Sequence, residues 1–164
     1  MSVMHGFTLM EAVLSVAIVA IIFAIGFQAM SGASQSVRAA QSSAQLLRAF
    51  TTASAEAQLG RGGFPWGVHL EFDEGTRVLS NVTVFAGASY ALRDVSYDSV
   101  TTFPSSVTVV SSAFVGPGIP TGNEHEVVFA PFSSDAALYG SVVVRTQERQ
   151  GTFTVSPYGD ITHE

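Results

Sequence analysis

The sequence contains no cysteine and no lysine, and only 12% of its 164 residues are charged. The first absence removes disulfides, thiol chemistry and Cys-ligated zinc together, and leaves the redox compartment open. The second leaves arginine as the only strongly basic side chain. Arg38 and Arg48 balance Glu11 and Glu56 in residues 1–59, so residues 60–164 carry the whole net charge of −6. A cation-poor, acidic surface argues against a groove that tracks phosphates, because nucleic-acid affinity comes largely from neutralising them. No nucleic-acid partner is expected. A Gly-x-Ser-x-Gly elbow and a metalloprotease His-Glu-x-x-His helix are also missing, so the pattern contains no enzyme motif and no cofactor is expected.

What the chain has instead is apolar length, concentrated near its start. Residues 12–30 are interrupted only by Ser15, Gly26 and Gln28, and as a helix they would reach roughly 28 Å at about 1.5 Å per residue, the thickness of a hydrocarbon core. Three readings compete: a cleaved secretory signal, with Met30-Ser31-Gly32-Ala33 as its processing region, a retained membrane anchor, or a buried helix. Glu11 stands at the head of this run and is the only Asp, Glu, Lys or Arg before Arg38. A carboxylate is costly there. Thr8-Leu9-Met10-Glu11 has the form of a capping box, in which the Thr hydroxyl and the Glu carboxylate satisfy amide hydrogens at the helix start.

Gly6-Phe7-Thr8-Leu9-Met10-Glu11 followed by such a run resembles the prepilin signal of type IV pilins and pseudopilins. The resemblance implies a leader peptide, residues 1–6, removed by prepilin peptidase between Gly6 and Phe7. It implies N-methylation of Phe7 and a retained transmembrane and filament-core helix over residues 7–30. It also makes Glu11 the assembly contact that pairs with the terminal amine of a neighbouring subunit. The partners implied are other pilin or pseudopilin subunits, the peptidase, an inner-membrane assembly platform and the membrane itself. The implied location is the bacterial inner membrane, crossed once, with the globular domain outside the cytoplasm and later part of a filament.

Residues 31–59 read as an amphipathic continuation of the helix. Val37, Ala40, Ala44, Leu47, Phe50, Ala53 and Ala57 form an apolar stripe, with Arg38, Ser42, Gln45, Thr52 and Glu56 opposite. Gly60-Arg61-Gly62-Gly63 ends it. From there residues 60–164 read as a β-rich globular domain. Val68, Leu70 and Phe72 alternate with Gly67, His69 and Glu71, and Asp73-Glu74-Gly75 supplies a hairpin turn. Further strands are expected over residues 77–85, 106–114, 125–129, 141–146 and 152–156, with 116–120 and 147–151 as turns. The expected fold is α+β, a long helix on a small, mainly antiparallel sheet, as the pilin resemblance also implies.

A looser likeness covers the rest of the chain. Leu46-Leu47-Arg48-Ala49, Ala55-Glu56-Ala57, Trp66-Gly67-Val68 and the segment from Phe153 to Ile161 are similar to H-type minor pseudopilins of type II secretion and their FimT-like minor-pilin relatives. DNA-binding members of that group use basic residues near the C-terminus. Here the end is Gly-Asp-Ile-Thr-His-Glu, which does not carry that activity.

Two residue pairs have ligand chemistry. His69 with Glu71 share a strand face, as do Glu124 and Glu126 around His125, but neither pair shows a third ligand. Both are read as solvated polar positions, and no metal is expected. Trp66 is read as packing. The function expected from these features is a minor pilin or pseudopilin of a type IV pilus or type II secretion filament. The alternative is a membrane-tethered β-rich binding module that does not polymerise, with an enzyme on a membrane stalk a distant third.

Overall fold

A computed structural model describes residues 9–117, 119–123, 125–146 and 149–164. Helix α1 is Leu9–Gln58, and nine strands follow: β1 Trp66–Phe72, β2 Leu79–Ala86, β3 Asp94–Thr102, β4 Val107–Gly116, β5 Ile119–Asn123, β6 Glu126–Phe129, β7 Ala136–Thr146, β8 Arg149–Val155 and β9 Ile161–His163. Short 3-10 turns occur at Arg61–Gly63 and Tyr90–Leu92. The chain divides after Arg38 into two compact units, so residues 39–58 of α1 belong with the strands.

In the first unit, residues 9–25 are exposed on every side. The large apolar side chains among them, Leu9 to Ile25, are 50% to 86% accessible. Among the described residues no helix is long and apolar enough to cross a membrane. The apolar run of the sequence extends to Met30, past Ile25, the last residue of this stretch whose side chain is described.

The second unit is α+β. Its strands run in the order β3-β2-β1-β6-β7-β4-β5, with β8 on β7 and β9 on β8, and every pairing among the described residues is antiparallel. The hairpin expected after residue 65 forms. Trp66, Val68, Leu70 and Phe72 are buried along β1 while Glu71 is exposed. Asp73 closes the turn by accepting both the amide and the hydroxyl hydrogens of Thr76, at 2.6 and 2.8 Å. The amide bond above all holds the Asp73 carboxyl below its ordinary range.

The inward face of α1 is rotated from the expected stripe. Leu46, Ala49, Phe50, Ala53 and Ala57 are buried together with Ser42 and Ser54, whereas Val37, Ala40 and Ala44 are exposed and Leu47 is only partly covered. The physical reason is period. Stepping back from Ala57 and Ala53 at about 3.6 residues per turn lands on Phe50, Leu46 and Ser42, but the expected stripe advances by roughly 3.3 and drifts round the helix. Small serines are tolerated on the buried face because their hydroxyls find local partners, as Ser54 does by accepting the Gln58 amide at 3.3 Å.

Phe50 sits in one contiguous core with β1, β2, β4, β6, β7 and β8, its ring 6.3 Å from that of Phe153. A second, smaller cluster of Phe85, Val128 and Leu138 lies on the other face of the sheet, reached by strand alternation, with Tyr90 packed over it. Helix α1 ends as the glycines require: Gly60 takes the left-handed conformation at φ 61°, and the Phe132 amide caps the Ala57 carbonyl at 2.8 Å.

Three strands were not expected, β3, β5 and β9, and each lies at an end of the strand path. Strand β3 is largely exposed on both faces, which removes the alternation that marks a half-buried strand. Strand β5 begins within Gly116-Pro117-Gly118-Ile119-Pro120, where Pro is compatible with an edge position. Pairing of β7 with β8 continues out to Thr146 opposite Arg149, so residues 149–151 are strand and not turn.

Gly140, at φ 152°, lies opposite Phe114 on β4, and a Cβ there would meet the Ala113 carbonyl oxygen. The obstacle is β4 backbone, so nothing flexible is there to move. Gly140→Ala is therefore expected to cost about 1–3 kcal/mol, read as a lower urea midpoint at unchanged slope.

Candidate functional site

The residues singled out at the N-terminus are placed as follows. Gly6 and Phe7 lie outside the described residues, as does Thr8, so the cleavage and methylation expectations have no structural account. Glu11 stands in the first turn of α1 and is exposed. Its carbonyl oxygen accepts the Ser15 hydroxyl at 2.8 Å, one turn on. Around it Met10, Val13, Leu14 and Ala17 form an apolar surface. This part of the helix thus presents one carboxylate within a surface of methyl and methylene groups.

Glu71 accepts the Asn81 side-chain amide at 2.9 Å, and Glu126 accepts the backbone amide of Tyr90 at 2.8 Å. Glu124 lies outside the described residues. Among the described residues no three His, Cys, Asp or Glu side chains come close enough together to hold a metal. Trp66 is a packing residue: it is 4% exposed, its indole N–H donates to the Arg61 carbonyl at 3.1 Å, and its ring meets Tyr97 edge-on at 5.8 Å.

What the sequence did not reveal is a column of rings across β1. His69 and Tyr90 stack face to face, centroids 3.7 Å apart and 5° from parallel. The Arg93 guanidinium covers the other side of Tyr90 at 3.6 Å and donates to the Tyr90 carbonyl at 2.7 Å and to Asp98 at 2.8 Å. On the far side His125 lies 5.9 Å from His69 and stacks on Phe72 at 4.6 Å, with Arg77 over Phe72 at 4.4 Å. His69 Nδ1 is buried without a hydrogen-bond partner among the described residues. Burial pushes the His69 imidazole below its ordinary value, with His125 and Arg93 adding to the effect and Glu126 and Glu71 opposing it. Tyr90 and Arg93 come from the connection between β2 and β3. Their sequence neighbours carry no period that could have announced the contact.

A groove of about 410 Å³ runs beside α1, where Ala40, Ser43 and Ala44 face Arg149, Gly151 and His163 from β8 and β9. Its ionisable groups, Arg149, His163 and Glu164, lie on the sheet side. Comparison of the chain with protein-family models, with characterised proteins and with solved structures gives no match.

Proposed function

We propose that this chain is a structural subunit, a minor pilin or pseudopilin of a type IV pilus or type II secretion filament. In this reading prepilin peptidase cuts between Gly6 and Phe7, Phe7 is N-methylated, and the apolar start of α1 anchors the subunit in the bacterial inner membrane. The strand-rich unit stands outside the cytoplasm. The assembly platform then lifts the subunit into an extracytoplasmic filament, where neighbouring helices replace lipid and Glu11 meets a neighbour's terminal amine.

The observation that carries the proposal is the exposure of residues 9–25 on every face of the helix. A helix that is apolar all round is stable only when something apolar surrounds it, because each buried methylene is worth about 0.8 kcal/mol. Lipid and the helices of other subunits both meet that need, in turn. The motif Gly-Phe-Thr-Leu-Met-Glu directly before this surface supports the same reading, and so does the antiparallel α+β unit that follows.

The test is the mass of the mature chain. The expected product begins at N-methyl-Phe7, and replacing Gly6 with a bulky residue such as Leu is expected to leave full-length precursor in the membrane fraction. A mature end near Ala33 would instead establish a secretory signal. A wild-type chain that keeps residues 1–6 in cells with an active prepilin peptidase would also overturn the proposal.

A further inference from the structure

We propose that the Tyr90 segment is an acid-released latch: protonation of His69 frees residues 87–93 and uncovers the apolar cluster Phe85, Val128 and Leu138. The cluster is at most 2% exposed, and Tyr90 is the partly buried side chain that covers it, edge-on to Phe85 at 5.6 Å. The latch has few anchors. Tyr90 is held by the parallel stack on His69, by its amide on Glu126 and by Arg93, which is itself tied to Asp98. Beyond these, Gly87 donates to the Pro65 carbonyl at 2.8 Å.

The weak point is His69 Nδ1, buried and without a partner beneath the Tyr90 ring. A neutral imidazole leaves one polar atom unsatisfied there. In the cation both ring nitrogens are donors, and a buried charged N–H without an acceptor costs more than a neutral one. Two acceptors can relieve it. Water gains access to Nδ1 when the stacked Tyr90 ring lifts from it. Glu126, whose Oε2 holds the Tyr90 amide, loosens that bond when it turns toward the imidazolium. Either route weakens an anchor of the same segment.

The surrounding charges are divided. Glu71 on β1 and Glu126 on β6 favour the cation, while His125 beside β6 and Arg93 behind Tyr90 oppose it, with Asp98 of β3 neutralising part of Arg93. On β2 the residue paired with His69 is Thr83, which is uncharged. Burial decides the balance against the cation in the closed state. The sign follows. An opened His69 titrates near 6.5, so the closed form is fully favoured above that pH, and its advantage is lost as pH falls toward the lowered value of the closed state.

The experiment is hydrogen exchange of the full chain in detergent micelles at pH 7.5, 6 and 5, corrected for the intrinsic pH dependence of exchange. Amides of residues 87–93 are expected to open at least about threefold more at pH 5 than at pH 7.5, and by no more than about tenfold per pH unit, the limit for one proton. His69→Phe keeps an aromatic face for Tyr90 and cannot titrate, so its exchange should be flat across this range. His69→Gln gives the same test if the phenylalanine variant misfolds. Tyr90→Ala should be open at every pH. The latch is overturned by pH-independent exchange in the wild-type segment, or by pH dependence that survives both His69 variants. Parallel loss of protection in β4 and β7 would also overturn it, because the whole unit would then be unfolding.

Discussion

A Glu11→Gln chain is expected to insert, to be trimmed at Gly6, and to enter filaments at least about tenfold less well than wild type. The loss follows from the proposed assembly role of Glu11. A charged hydrogen bond out of water is worth roughly 1.5–3 kcal/mol, and about 1.4 kcal/mol is tenfold in an association constant. Glutamine keeps the size of the side chain and loses the charge that would hold a neighbour's amine. Insertion should survive because removing a charge makes an apolar helix easier to bury. Trimming should survive because the scissile bond lies four residues upstream of Glu11 in the sequence. If the carboxylate served only to cap the helix start, glutamine would replace it with little loss. The measurement is the ratio of filament-associated to membrane-resident subunit, normalised to processed chain. Equal ratios for the two proteins would reduce Glu11 to a cap and leave the cleavage motif and the exposed apolar helix as the remaining support for a filament subunit.

Phe50→Ala is expected to destabilise the strand-rich unit by about 3–5 kcal/mol, the cost of removing a buried aromatic and leaving a cavity. Phe50 is fully buried, at 0% exposure, and it joins α1 to β8 through Phe153. Against a total of about 5–15 kcal/mol for an ordinary domain, this brings the unit close to unfolding. The measurement is denaturant unfolding of the full chain in micelles, followed by near-ultraviolet dichroism. A companion pair tests the orientation of the helix. Leu46 is 1% exposed, whereas Leu47 is partly covered. Leu46→Ala should therefore cost about 2–5 kcal/mol and Leu47→Ala clearly less. Equal costs would contradict the rotated face and restore the stripe read from the sequence.

The β1–β2 hairpin was legible because one face of β1 is buried, so Trp66, Val68, Leu70 and Phe72 repeat every second residue and the Asp73 turn chemistry is local. Strand β3 was not legible, because an edge strand exposed on both faces has no apolar repeat to display. The half of the stripe nearest Gly60 was right, since Phe50, Ala53 and Ala57 are packed. The other half was wrong by rotation, because small residues such as Ala40, Ala44 and Ser42 bury too little area to reveal which of them packs into the core.

By itself the sequence determined the change from helical to alternating period around Gly60, and hence an α+β chain. It also determined an acidic, thiol-free surface and an apolar N-terminal run bearing one carboxylate. All of these depend on neighbours a few residues apart, which is the range over which covalent order controls contact. Only the tertiary structure decided that Ser42 and Leu46 turn inward, and that Tyr90 and Arg93 close over His69. Those contacts join β1 to the connection between β2 and β3. Their energies come from burial and ring geometry after the sheet has formed, so no local pattern encodes them.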